Sequence, residues 1–311
     1  MNSPHKILIT GSSGFVASNL YQEYHNIFDL FGLDNTKKSL FPFERIFDWE
    51  NPGNLPEVDT IIHLAGKAHD TSNSPDPKAY FEINLGLTQR IFDHFLNSEA
   101  KTFIFFSSVK AVADTVDNSI LSEDVIPNPK TDYGKSKLAA EQYILSQSIP
   151  ENKRVYILRP CMIHGPGNKG NLNLLYKIVK KGIPWPLGAF KNERSFVSID
   201  NLTFILRQLI EKDIATGIYN IADDESLSTN ELIGLIAKST NRIIRIWNIP
   251  TSIIRLIAKI GDLLHLPLNS ERLKKLTESY VVSNTKLKNA LQIDFLPKSA
   301  KTGFLLTLKH F

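Results

Sequence analysis

The sequence has a single cysteine, Cys161, so no disulfide can form within the chain and a reducing compartment is its natural setting. Cys161 follows a strand-like run and reads as a packing residue ahead of a nucleophile. No stretch approaches the roughly 18 uninterrupted apolar residues needed to cross a bilayer, so no membrane span is expected. Met1 to Lys6 runs directly into a strand-like pattern without the basic and apolar regions of a secretion signal, and a cytoplasmic protein is expected. Charge of one sign is not in excess either: Lys+Arg 36 face Asp+Glu 32, a net of +4. No run of like charge is long enough for a nucleic-acid arm, so no nucleic-acid partner is expected. Internal repeats and low-complexity tracts are missing, and no metal site is expected.

What is present fits a globular enzyme. The 311 residues are 42% hydrophobic and 22% charged, enough for a substantial core. Strand-like runs at Lys6–Thr10, Leu30–Asp34, Thr60–Leu64, Phe103–Ser107 and Val155–Arg159 alternate with helical patterns from Gly14, over Ala79–Asn97 and over Tyr133–Ser146. That alternation predicts an α/β fold with a doubly wound parallel sheet. After Pro160 the glycines at 165, 167 and 170 and the prolines at 166, 184 and 186 break the pattern, while Gly217–Ala222 reads as a further strand. The expected organisation is a dinucleotide-binding unit over 1–164, rejoined by about 194–245, with 165–193 and 246–311 forming a smaller, discontinuous substrate lobe.

The first strand runs straight into Gly11-Ser12-Ser13-Gly14-Phe15-Val16-Ala17, the spacing G-x-x-G-x-x-A of a Rossmann dinucleotide turn. Gly11 permits the tight turn, Gly14 lets the backbone approach a pyrophosphate, and Ala17 lets helix and strand pack closely. The amides of Ser13, Phe15 and Val16 then face the phosphates at the positive end of the helix. Asp34 lies 20 residues beyond Gly14, where an acid receives the adenosine ribose hydroxyls and repels the extra phosphate of NADP. NAD is therefore the expected cofactor, with Asn35 beside the ribose and Lys37 and Lys38 close enough to soften the preference. A plain polar turn is the competing reading of Asp34-Asn35. Asp48 is expected to meet the adenine amino group, or else to be a surface acid.

Tyr133 and Lys137 stand four residues apart, on one helical face, within Tyr133-Gly134-Lys135-Ser136-Lys137. A tyrosine must lose about three pKa units to act as a base near neutrality, and a neighbouring ammonium helps supply them. Ser107-Ser108 end an apolar strand at its carboxyl end, where open α/β sheets place ligands. Ser108 is then positioned to share a substrate hydroxyl with Tyr133.

The glycine turn, the Ser-Ser strand end and Y-x-x-x-K together resemble the extended short-chain dehydrogenase/reductase family, in its NAD-dependent nucleotide-sugar epimerase/dehydratase branch. The resemblance covers essentially the whole chain, and extends to Ile62-His63-Leu64-Ala65-Gly66, Glu82-Ile83-Asn84-Leu85-Gly86, Leu158-Arg159-Pro160, Gly165-Pro166-Gly167 and Arg194 to Leu202. It implies that Tyr133 is the acid/base, that Lys137 orients the nicotinamide ribose and tunes Tyr133, and that Ser108 positions the reacting oxygen. It implies cofactor contacts at Leu64, Ala65, Gly66, Ser107 and Pro160, with Asn84 either supporting the geometry behind the site or acting as a buried structural amide. A UDP-sugar is the implied partner, met by Lys67, Ser108, Asn171, Asn173 and Arg194, whose fork suits phosphate oxygens. For Arg194 a surface ion pair is the competing reading.

Several positions depart from the family's commonest pattern. Val109-Lys110 follow Ser108 where dehydratases carry an Asp-Glu pair, Met162 stands where sugar epimerases often have a substrate asparagine, and His164 replaces a frequent tyrosine. These changes resemble a bacterial surface-polysaccharide subgroup of epimerases and 4-keto-6-deoxy amino sugar reductases. The leading expectation is a UDP-hexose or UDP-N-acetylhexosamine 4-epimerase. An NAD(P)H-dependent C4 reductase is the alternative, and a catalytically silent NAD-binding subunit is the alternative of another class. His164 reads as packing. A homodimer is left open. The amphipathic run 252–264 is expected to pack its apolar stripe on the second lobe, with a membrane surface or a partner copy as the other readings.

Overall fold

Three apolar residues in succession, Ile7, Leu8 and Ile9, make β1 (Lys6–Thr10) and are fully buried, which places this strand at the centre of a sheet covered on both faces. The computed structural model describes residues 4–35, 39–42, 45–50, 55–68, 76–116, 120–168, 171–264, 266 and 268–311. In it β1 pairs in parallel with β2 (Asp29–Leu33) on one side and β4 (Thr60–His63) on the other. Beyond them lie β3 (Ile46–Phe47), β5 (Thr102–Phe106), β7 (Arg154–Pro160) and β10 (Gly217–Ile221), giving the seven-stranded order β10-β7-β5-β4-β1-β2-β3. All of its pairings are parallel. The expected strands lie within one residue of the observed ones, and β10 joins the edge beside β7.

Alternation sorts the side chains by face. Ile7, Ile9, Ile62, Ile104, Tyr156 and Leu158 point to the side covered by α1 (Phe15–Tyr24) and α6 (Ile199–Glu211). Leu8, Ile61, Phe103, Phe105 and Ile157 point to the other, covered by α3 (Leu87–Asn97) and α4 (Asp132–Ser146). Each such buried side chain contributes about 2 kcal/mol. The helix expected over Ala79–Asn97 is not continuous: α2 (Pro77–Phe81) passes through a π turn, Glu82–Gly86, before α3.

A third hydrophobic cluster lies outside the sheet. Leu172, Leu175 and Val179 of α5 (Asn171–Lys180) meet Leu232, Ile233 and Ile236 of α7 (Thr229–Ser239), Phe304 of α11 (Ala300–Leu308) and Phe196 of β9 (Phe196–Ser198). β9 pairs with β8 (Met162–His164) apart from the main sheet, as β6 (Ile120–Leu121) pairs with β11 (Val281–Val282). Helices α8 (Thr251–Leu264), α9 (Ser270–Thr277) and α10 (Thr285–Leu291) complete the order.

The amphipathic run corrects one expectation. Only Ile254, Ala258 and Gly261 of α8 are buried, while Ile253, Leu256, Ile257, Ile260, Leu263 and Leu264 are exposed. The apolar surface is wider than the seat available to it: the helix is pressed so close to the returning chain that a Cβ on Gly261 would meet the Leu268 carbonyl oxygen. Among the described residues no helix is long and apolar enough to cross a membrane.

Candidate active site

The strand order reverses between β2 and β4 on either side of β1, and the crevice at their carboxyl ends is where such sheets bind ligands. Gly11 leaves β1 with φ +69°, a conformation that favours glycine, and a Cβ there would lie 2.9 Å from the Ala65 backbone. Its N–H donates to the Leu33 carbonyl at 2.8 Å, and Gly14 N–H donates to the Gly11 carbonyl at 2.9 Å. Gly14 caps α1 without a side-chain acceptor, so the first-turn amides, with Phe15 and Val16 at their head, are offered to an anion. Asp34 closes the turn from the next strand, its carboxylate accepting from Ser13 N–H and Asn35 N–H, each at 2.8 Å. Lys37 and Lys38 lie outside the described residues. Asp48 is exposed and accepts from Glu50 N–H at 3.0 Å, the role of a turn acid.

The second wall comes from the β4 and β5 ends. A buried relay runs under it: Ala65 N–H donates to Thr10 Oγ1 (3.0 Å), Thr10 bonds His63 Nδ1 (2.7 Å), His63 Nε2 bonds Thr88 Oγ1 (3.0 Å), and Thr88 donates to the Asn84 carbonyl (2.7 Å). These donors run in one direction when His63 is neutral with its proton on Nε2. Burial pushes the His63 pKa well below its ordinary value, with Lys137 adding to the effect. Asn84, in the π turn, accepts from Lys67 N–H at 2.7 Å and donates to the Lys67 carbonyl at 3.0 Å and to Ser136 Oγ at 2.9 Å. It is therefore the buried amide that fixes the Gly66-Lys67 loop, one of the two roles expected of it.

Ser108 leaves β5 and accepts from Lys110 N–H at 3.2 Å, while its hydroxyl hydrogen-bonds Tyr133. Tyr133 reaches it because Thr131 caps α4, accepting from Gly134 N–H at 3.2 Å, and because Gly134 has no side chain. A Cβ on Gly134 would lie 2.4 Å from the Lys110 carbonyl oxygen. Burial pushes the Tyr133 phenol up, and the Ser108 hydrogen bond opposes the rise. One turn on, Lys137 Nζ donates to the Phe106 carbonyl at 2.7 Å and stands 5.0 Å from the Phe105 ring centre. Burial pushes its pKa down to about 8, resisted by Glu141.

These groups meet around a cavity of about 630 Å³. Its walls include Phe15, Leu64, Gly66 and Lys67, then Ser107, Ser108, Tyr133 and Lys137, and on the far side Pro160 and Arg194. Ser107 lines the cavity with its hydroxyl donating to Glu141. The Arg194 guanidinium donates to the Lys275 carbonyl and borders the cavity, so the surface ion-pair reading does not describe it. Asn173 is not among the residues lining the cavity; it donates to the carbonyl of Asn168, which is, at 2.9 Å. The side chain of Asn171 lies outside the described residues. Cys161 lines the wall with its thiol pushed well up by burial, and His164 is buried against Phe304 with Nδ1 2.9 Å from Thr307 Oγ1, so both act in packing.

Sequence reasoning missed Lys110 and Tyr280 as wall residues. Lys110 Nζ lies 4.2 Å from the Tyr280 ring centre and donates to the Asp114 carbonyl at 2.6 Å; the pairing joins segments too distant for any local pattern to signal. A second cavity of about 600 Å³ lies among Val116, Phe190, Asn192 and Ser228 and contains none of the Ser-Tyr-Lys set.

The model of the NAD dependent epimerase/dehydratase family matches residues 7–222. The chain belongs to this family. Similar relatives include a UDP-glucose 4-epimerase of Vibrio cholerae, 28% identical over 99% of this chain and 96% of the relative. Another is an N-acetyl-α-D-glucosaminyl-diphospho-ditrans,octacis-undecaprenol 4-epimerase of Escherichia coli O157:H7, 27% identical over 91% of this chain and 84% of that one. Among solved structures, the Bordetella bronchiseptica enzyme WbmG in complex with NAD and UDP superimposes with a TM-score of 0.77 at 18% identity, covering 99% of this chain and 94% of that one. That likeness extends the doubly wound fold of the family to the whole chain.

Proposed function

We propose that the protein is a nucleotide-sugar 4-epimerase acting on a UDP-hexose or UDP-N-acetylhexosamine through a transient 4-keto sugar. The observation that carries this reading is that Ser108, Tyr133 and Lys137 share one cavity with Phe15, the residue that opens α1 directly after the Gly11–Gly14 turn. The turn fits NAD: Gly11 takes the left-handed φ that the tight turn needs and packs on the Ala65 backbone, the first-turn amides of α1 suit a pyrophosphate, and the Asp34 carboxylate suits a free ribose rather than a phosphorylated one. Bound there, NAD supplies reversible hydride acceptance at the sugar carbon.

The chain's own groups do the rest. Tyr133 takes the proton of the C4 hydroxyl and later returns it, Ser108 holds that oxygen in line with the phenol, and the Lys137 ammonium favours the phenolate. Both named relatives act on a sugar carried on a diphosphate, and the Arg194 fork suits that diphosphate from the far wall. Epimerisation needs the sugar to turn over while the diphosphate stays fixed. Val109, Cys161, Met162 and Ile163 give the cavity a wall with few hydrogen-bonding anchors, which suits that turn.

A second reading rests on Met162, which is exposed on the wall and offers no donor to a sugar hydroxyl. Such a contact suits a 6-deoxy sugar, and the same Ser-Tyr-Lys set would then deliver a proton during C4 reduction of a 4-keto-6-deoxy substrate. Purified protein distinguishes the readings. Interconversion of UDP-glucose or UDP-N-acetylglucosamine with its 4-epimer, without added reduced cofactor, supports the epimerase. Product formed only from a 4-keto sugar, with stoichiometric consumption of NADH or NADPH, replaces it by the reductase.

A further inference from the structure

The surface between Arg242 and Thr277 differs from the rest of the molecule in both polarity and charge. Among the described residues, ten of the 21 exposed large hydrophobic side chains fall between Ile243 and Leu266. From Arg242 to Thr277 the chain carries seven Lys and Arg against two acids, a local +5, while the whole chain carries +4. The remainder of the protein is thus close to neutral, and its positive excess sits where its apolar surface is exposed.

Helix α8 shows how the two are arranged. At about 100° per residue, the six exposed apolar side chains sweep roughly 120° of the circumference from Ile257 round to Leu263. Beyond Leu263 the helix turns through Ser252 to Lys259, about 40° on, and Arg255, about 80° on; with Lys274 of α9 these two cations border a cleft of about 320 Å³. Among the described residues none of these three cations makes an ion pair, and Asp262, the acid of α8, is turned onto Ser270 N–H at 2.9 Å. Trp247, half-exposed, stands on the segment leading into the helix.

We propose that this face docks on an anionic phospholipid surface, with the α8 leucines and isoleucines entering the acyl boundary and the Arg255–Lys259–Lys274 cleft receiving lipid phosphates. A broad apolar face edged by cations and an aromatic residue has the form of an interfacial helix. Charge decides against a second copy as occupant, because a two-fold pairing would set each +5 surface against its own image.

The test uses the full chain and sedimentation with vesicles of phosphatidylcholine, with and without phosphatidylglycerol. Binding to the anionic vesicles is expected, falling with salt and at least about 10-fold weaker on the neutral ones. Arg255→Glu with Lys259→Glu should weaken it at least about 30-fold, and Leu256→Ser with Leu263→Ser at least about 10-fold. All four positions are exposed, so thermal melts should match the wild type; if the apolar variant misfolds, the charge variant still decides the matter. Absence of binding to anionic vesicles overturns the proposal, as does binding that neither variant changes. A dimer in sedimentation equilibrium that Leu256→Ser/Leu263→Ser dissociates, without vesicle binding, assigns the face to a second copy instead.

Discussion

The Glu141 carboxylate accepts two hydrogen bonds from Arg159, 3.0 Å from Nε and 2.6 Å from a terminal nitrogen, with both side chains almost wholly buried. The same carboxylate accepts from Ser107 and stands one turn beyond Lys137 on α4. Helix α4 is thereby tied to β7 directly behind the reacting groups.

Removing half of a buried pair strands the other half. Glu141→Gln should cost about 3 kcal/mol or more of unfolding free energy, and the paired change Glu141→Leu/Arg159→Met should recover most of it. Urea unfolding measures both, and a loss in Glu141→Gln below about 1 kcal/mol would show that the pair is not the tie described.

Lys137 gives a pH signature with a definite sign. Its pKa is about 8 in the folded chain against about 10.4 unfolded, so between those values the unfolded chain binds the extra proton and stability rises with pH. Relative to Lys137→Met, the wild type should gain about 2 kcal/mol between about pH 7 and 9.5. A constant difference across that range would place the ammonium in a wetter setting than the structure does.

Tyr133→Phe keeps the ring and its packing against Tyr80, whose ring centre is 6.3 Å away, but removes the proton carrier. Turnover should fall by about 100-fold to 10,000-fold with bound nicotinamide content unchanged. Near-normal turnover in this variant would remove Tyr133 from its assigned role.

Gly134→Ala tests the approach of α4 to Ser108. The added methyl meets the Lys110 carbonyl oxygen and Pro129 Cβ, so it should cost about 1–3 kcal/mol of stability and lower kcat more than it raises KM. A change confined to KM would mean that Tyr133 has not moved.

Asp34→Ser keeps an acceptor for Ser13 N–H and removes the charge. The NADP-to-NAD affinity ratio, measured by fluorescence titration, should rise at least about 10-fold. No change in that ratio would leave Asp34 with only its turn role.

The sheet was legible because strands buried on both faces announce themselves as short apolar runs, and Lys6–Thr10 and Thr60–His63 lie where the pattern put them. The cradle and the Tyr133–Lys137 pair were legible because their spacing is local. What local spacing does not carry was missed: Glu141 meets Arg159 across a helix and a strand, and Lys110 meets Tyr280 from far along the chain. The π turn was invisible because its extra residue answers to a distant backbone, that of Lys67. For α8 the period identified the apolar face, but not how little of it the fold would cover.

The Asn84 clasp has a further consequence. It grips the main chain of residue 67 at both N–H and carbonyl and makes no demand on the side chain, which projects to the cavity wall. The main chain of the loop is thus held whatever residue 67 carries, while the Lys67 ammonium also stands 4.8 Å from the Tyr80 ring centre: replacements at Lys67 should give up that side chain's contacts and change which anionic substrates are welcomed, with the clasp itself intact.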